Sequence, residues 1–247
     1  SWHIGKHLGV AIPTKDGRVI LNLQDGIYFF DPVAETLTEI SNLEREIENN
    51  RINDGKVDSH GRLWFGSMSM TANQPEREFE VTGSFYHMEP DGTIVKHFGG
   101  VGISNGLIWN DKETVMYYVD STTHKISAFD FDVEKGEITN RRAVITIDES
   151  EGVPDGMTID AEGMLWVAHF GGWKVSRIDP ERGKVIGEIR LPCEQVSCCC
   201  FGGERLDELY ITTASIGLSE EQRKAQPLAG CLFMVKPGVH GTPLHKF

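Results

Sequence analysis

Apolar residues come in short runs of Val, Ile, Phe, Tyr and Trp, separated by Asp-Gly, Asn-Gly or Glu-Gly pairs. No long stretch repeats them every three to four positions. This pattern predicts an all-β chain. The runs also recur in rows, each with a Gly-led apolar segment, a polar turn, a second strand, a longer connection and a third strand ending in an acidic residue or Pro. Five rows can be written: from Gly9 to Pro32, from Asp54 to Pro90, from Asn105 to Asp130, from Asp155 to Pro180 and from Cys198 to Pro237. With Gly9, Gly55, Gly106, Gly156 and Cys198 as row starts, the intervals are 46, 51, 50 and 42 residues. A period of about 40 to 50 residues is that of four-stranded propeller blades, which favours a β-propeller over a β-sandwich whose rows need not be equal.

In a propeller the first strand of each blade lines the channel and strands alternate in direction. The start of strand one and the loop after strand two therefore share one end. That mouth collects Arg51, Asn53, Asp54, Ser104, Asn105, Asp155 and Ser197, the strand ends Asp120 and His169, and the long connections 71–82 and 215–229. Asp54, Asn105 and Asp155 each stand before Gly at the same place in their rows. Singly, Asp-Gly and Asn-Gly are ordinary turn dipeptides. In register they would put hard oxygen donors at one level, as a Ca²⁺, Mg²⁺ or Mn²⁺ site requires.

Composition narrows the function classes. The 247 residues can bury a sizeable core without a metal or disulfide staple, as a single domain. A net charge of −13 repels nucleic acid and anionic membranes. Five Cys, three of them adjacent at Cys198, Cys199 and Cys200, make no disulfide framework and suit a reducing compartment. The triplet on an inner strand is expected to be buried as small apolar residues. With no apolar run of about 18 residues, a cytoplasmic location without a membrane anchor is expected.

Several longer motifs carry a resemblance. Asn50-Arg51-Ile52-Asn53-Asp54-Gly55-Lys56-Val57-Asp58, Ile103-Ser104-Asn105-Gly106-Leu107, Pro154-Asp155-Gly156-Met157-Thr158-Ile159-Asp160 and Cys199-Cys200-Phe201-Gly202-Gly203 resemble, in order, the senescence marker protein (regucalcin), gluconolactonase and luciferin-regenerating enzyme family. The resemblance implies a six-bladed β-propeller with one divalent metal ion (Ca, Zn, Mg or Mn) in the channel mouth, hydrolysing small sugar lactones. It implies metal ligands at Asn105 and Asp155, substrate contacts at Arg51 and Asn53, and Asp155 as the residue that activates water, with Asp54 an alternative base. The family's further Glu ligand, in a Gly-Glu-Ser/Gly-Pro motif, has no counterpart here. That Glu and the sixth blade are expected upstream of Ser1, leaving the N-terminal blade incomplete. Glu76, Glu78 and Glu80 are available for the acidic contact that relatives place in the first long loop.

Other motifs carry less. Gly102-Ile103-Ser104-Asn105-Gly106 spells a nucleophile elbow, but Leu107 to Trp109 read as strand rather than the helix such an elbow leads into. His169 reads as a hydrogen-bonded structural histidine, and Trp64, Trp109 and Trp166 as packing between sheets. The alternative to a lactonase is a propeller that binds calcium or a protein without catalysis.

Overall fold

The computed structural model describes residues 1–74 and 76–247. Among these residues the strands form five antiparallel sheets, one after another along the chain. The first contains β1 (Leu8–Pro13), β2 (Val19–Leu23), β3 (Gly26–Asp31) and β4 (Thr36–Ser41), and the second β5 (Asn50–Val57), β6 (Leu63–Ser69), β7 (Gly83–Met88) and β8 (Ile94–Val101). The third contains β9 (Ser104–Trp109), β10 (Val115–Asp120), β11 (Lys125–Asp132) and β12 (Glu137–Thr146). The fourth contains β13 (Val153–Ile159), β14 (Leu165–Phe170), β15 (Lys174–Asp179) and β16 (Lys184–Arg190). The fifth has three strands, β17 (Val196–Gly202), β18 (Glu208–Thr213) and β19 (Leu232–Val235), with helix α1 (Glu220–Ala225) between the last two.

Each sheet is an up-and-down blade, and each begins where a sequence row begins. The expectation of six blades is corrected to five. The expectation of an incomplete N-terminal blade is corrected as well: the first sheet has four strands, and the three-stranded sheet is the fifth.

The chain divides into two compact units. One comprises Ser1–Ser104, Val133–Gly136 and Leu244–Phe247, the other Asn105–Asp132 and Glu137–Pro243. In the first unit, β1 packs along β5, and Ile12, Ile20, Ile52, Leu63 and Phe65 form the core between the two sheets. In the second unit, Val119, Ile126, Met157 and Val167 fill the space between the third and fourth sheets. Trp166, Ala168, Cys199, Phe201 and Ile211 do so between the fourth and fifth. Of the Cys triplet only Cys199 is buried; Cys198 and Cys200 are half-buried, as the alternation of a strand dictates.

The same device braces the second and fourth sheets. Asp58 Oδ1 accepts from the amides of His60 (3.0 Å) and Arg62 (2.9 Å), while Oδ2 accepts from the Trp64 indole and from Arg62 Nη1, both at 2.9 Å. Asp160 Oδ1 accepts from the amides of Glu162 and Met164, both at 3.0 Å, and Oδ2 from the Trp166 indole and Arg177 Nε, both at 2.9 Å. Each carboxylate thus pins a turn, a buried indole and a guanidinium. Trp166 packs edge-on to Phe201 at 6.1 Å, and the indole N–H groups of Trp64 and Trp166 are also committed.

A histidine pair lies on the second sheet. His97 Nε2 and His87 Nδ1 are 2.8 Å apart, His87 Nε2 is 3.1 Å from Glu89 Oε1, and the His97 ring stacks on Trp64. Burial lowers the pKa of both rings, and for His97 it falls to about 4 from an ordinary 6.5, with the His87 charge adding to the shift. Below pH 6.5 the unfolded chain therefore binds protons that the folded chain refuses. Stability is expected to fall by about 1–2 kcal/mol between pH 6.5 and 5. Denaturant midpoints across that window check this. A His97→Gln variant should show a flatter slope, and an unchanged slope would sink the prediction.

Candidate functional site

The three pairs aligned at the row starts are not turns: Asp54-Gly55 lies inside β5, Asn105-Gly106 inside β9 and Asp155-Gly156 inside β13. Two features explain why such turn-forming pairs sit within strands. The first is a repeated irregularity in the pairing of inner strands. The register shifts between Ile52 and Gly55 on β5, between Pro154 and Met157 on β13, and between Val196 and Cys198 on β17. Extra residues of this kind re-aim side chains away from the regular pleat. Asn53 and Asp54, Asp155, and Ser197 are the residues so re-aimed.

The second feature is close backbone approach. A methyl group on Gly106 would lie 2.6 Å from the Asp155 carbonyl oxygen and 2.8 Å from the Met157 amide nitrogen. One on Gly156 would lie 2.5 Å from Cys198 Sγ. Glycine is needed at these positions for lack of space, so that adjacent inner strands can meet.

In the second unit a hydrogen-bond chain links Asn105 to the residue before Asp155. Asn105 is 8% exposed, and its Nδ2 donates to Ser121 Oγ at 2.8 Å. Ser121 Oγ in turn donates to the carbonyl of Pro154 at 2.6 Å, one residue before Asp155. Asp155 itself is half-buried. Ser121 opens a short 3-10 turn (Ser121–Thr123) whose N-cap is Asp120, the Asp120 carboxylate accepting from the Thr122 amide at 3.2 Å and its hydroxyl at 2.7 Å. Asp120 was expected as a polar group at the channel mouth; these contacts make it a capping residue, and Ser121 beside it was not foreseen.

In the first unit Arg51, Asn53 and Asp54 sit together on β5. Arg51 Nη1 donates to the Ile52 carbonyl at 3.3 Å and Asn53 Nδ2 to the Ser104 carbonyl at 2.7 Å. Asp54 accepts from the Gly55 amide at 2.8 Å. Crowding by protein atoms raises the Asp54 pKa, against the opposing influence of the Lys56 charge and the Gly55 N–H.

The remaining candidates are occupied locally. His169 is fully buried: Nδ1 is 3.0 Å from the Glu151 carbonyl, Nε2 is buried without a hydrogen-bond partner, and burial lowers the ring's pKa. Ser197 Oγ shares a hydrogen bond with Thr212 Oγ1 at 2.9 Å. In the 71–82 connection Thr71 Oγ1 accepts from the Glu80 amide at 3.0 Å, and Glu76, Glu78 and Glu80 are exposed; position 75 lies outside the described residues. The 215–229 connection carries α1, closed by a reciprocal Ser219–Gln222 capping box. The Ser104 of the G-x-S-x-G motif is a buried strand residue, without the helix a nucleophile elbow needs.

Among the described residues no group of three or more His, Cys, Asp or Glu side chains could hold a metal ion. What unit two offers is a carboxamide and a carboxylate on neighbouring inner strands, with a backbone approach too tight for a Cβ. That donor set fits a hard, oxygen-preferring divalent cation whose other positions take water or substrate oxygens. Among the described residues no helix is long and apolar enough to cross a membrane.

Five up-and-down blades with polar residues re-aimed from inner strands define a protein of the β-propeller class. The chain belongs to the SMP-30/Gluconolactonase/LRE-like family, which it matches over residues 1–215. It is 41% identical to regucalcin of Danio rerio over 248 aligned residues, covering 100% of this chain and 82% of the relative. It is 42% identical to Putative sugar lactone lactonase YvrE of Bacillus subtilis over 216 residues, covering 87% of this chain and 72% of that protein. The crystal structure of a calcium-binding protein, regucalcin, from Agrobacterium tumefaciens superposes with a TM-score of 0.90 at 28% identity, covering 100% of this chain and 82% of that one.

Proposed function

We propose that this chain is a divalent-metal-dependent lactonase acting on sugar lactones. The observation that supports the reading is the Asn105–Ser121–Pro154 hydrogen-bond chain, which ties Asn105 to the residue before Asp155 in a chain of the SMP-30/Gluconolactonase/LRE-like family. A bound divalent cation would polarise the lactone carbonyl and stabilise the charge that develops on its oxygen. Asn105 and Asp155 are the residues proposed to hold it. Because both are oxygen donors, Ca²⁺, Mg²⁺ or Mn²⁺ suits them better than Zn²⁺.

The hydrolysis forms a bond from water oxygen to the acyl carbon and breaks the ring C–O bond; the ring oxygen takes a proton and a hydroxy acid leaves. A carboxylate oxygen must accept the water proton. Asp155 is the proposed acceptor, with Asp54 as the alternative. Arg51 and Asn53 are proposed to hold substrate hydroxyl or carboxylate groups. The proposed substrate is a small aldonolactone in the cytoplasm, with neither nucleic acid nor membrane as partner.

The test is acid release from gluconolactone with the protein as purified, after chelation, and after return of each cation. Turnover should fall to the uncatalysed rate on chelation and return with Ca²⁺, Mg²⁺ or Mn²⁺. Turnover indifferent to chelator would refute the metal role. Cation binding without turnover on any aldonolactone would favour the second reading, a calcium-binding propeller, which the calcium-binding description of the Agrobacterium relative supports.

A further inference from the structure

We propose that Ser121 is a positioning residue that decides which end of the Asn105 carboxamide faces the cation. The inference rests on the metal-site reading above and concerns the second unit alone. A carboxamide presents either an oxygen or an NH₂, and only the oxygen can bind a cation. Nothing in the Asn105 side chain itself selects between the two, since a half-turn about its last bond exchanges them.

The selection comes from the proton inventory of one hydroxyl. Ser121 Oγ has a single proton, and the Pro154 carbonyl at 2.6 Å receives it. Oγ then has only lone pairs to offer Asn105 at 2.8 Å, so it must meet the nitrogen end. The amide nitrogen is drawn toward Ser121 and the oxygen is turned to the opposite side. Were the amide reversed, two oxygens would face each other with no proton between them.

The setting makes the choice firm. Ser121 is 2% exposed and Asn105 8%, so water is poorly placed to take over either bond. The Asp120 cap on the Ser121–Thr123 turn fixes where Oγ sits. The same hydroxyl tethers the Pro154 carbonyl, and through it the start of the irregular stretch of β13 that aims Asp155. One side chain from the end of β10 therefore orients the carboxamide donor and anchors the strand carrying the carboxylate.

The test is calorimetric titration of the full chain with Ca²⁺, which reads cation affinity without turnover. Ser121→Ala should weaken binding by about 10–100-fold. Ser121→Thr, which keeps the hydroxyl, should recover most of it. The decisive comparison repeats Ser121→Ala on an Asn105→Asp background: a carboxylate presents oxygen whichever way it turns, so the loss there should shrink to about threefold or less, short of the second-sphere range. Undiminished Ca²⁺ affinity in a folded Ser121→Ala protein would overturn the positioning role while leaving the lactonase reading intact. Equal losses on both backgrounds would also overturn it, as the mark of general loosening. If the unaltered protein binds no Ca²⁺, Mg²⁺ or Mn²⁺, the inference and the metal reading fall together.

Discussion

Asp155→Asn is expected to lower lactone turnover by about 100-fold or more, because it removes both the charge proposed to hold a cation and a proposed proton acceptor. The side chain keeps its size, and the irregular stretch of β13 stays flanked by regular pairing with β14 on either side. Folding should therefore be nearly unchanged. Steady-state rates on gluconolactone, with Ca²⁺ affinity measured alongside, separate the two roles. Lost affinity with turnover restored at high cation concentration identifies a ligand. Retained affinity with lost turnover identifies a base. A variant with both properties intact would remove Asp155 from the site.

The largest stability effect is expected far from any chemistry. Asp58→Ala should cost about 3–5 kcal/mol, because it strips the partner from a guanidinium that is itself buried and leaves the Trp64 indole N–H without an acceptor. Two turn amides also lose their bonds. Arg62 retains a longer ion pair with Glu89 at 3.2 Å and carbonyl contacts to Val133 and Glu134, which moderates the loss. Urea denaturation gives the number. Asp58→Asn, which keeps an oxygen for the indole, should fall between the two. A loss below about 1 kcal/mol in the Ala variant would mean that Asp58 contributes no more than an ordinary surface ion pair.

The blades were legible because most of their first three strands bury side chains and so carry apolar runs at a steady interval. The fourth strands were not written in any row, and their exposure explains why. Most of β4, β12 and β16 is solvent-exposed, so β-pairing there is imposed by the neighbouring strand and leaves little apolar alternation in the sequence. Rows aligned by their Gly residues also revealed the candidate donors. That glycine marks crowding between inner strands, rather than a bend, is a tertiary fact that no dipeptide can announce.

Two kinds of residue escaped the sequence reading. The Asp–Trp pairs were visible in principle, since Asp58 to Trp64 and Asp160 to Trp166 have the same six-residue separation in two rows. The apolar bulk of Trp masks its one polar atom. Ser121 offered no comparable signal. It acts through one hydroxyl on a side chain 16 positions earlier and a carbonyl 33 positions later, distances set by how the blades fold.

The paired Asp–Trp braces also supply an optical handle. Trp64 lies in one compact unit and Trp166 in the other, each bound by its indole to a carboxylate of its own unit. Indole emission shifts to longer wavelength once water reaches the ring. Variants that keep a single one of the five tryptophans, either Trp64 or Trp166, would let the melting of each half be timed by its own fluorescence.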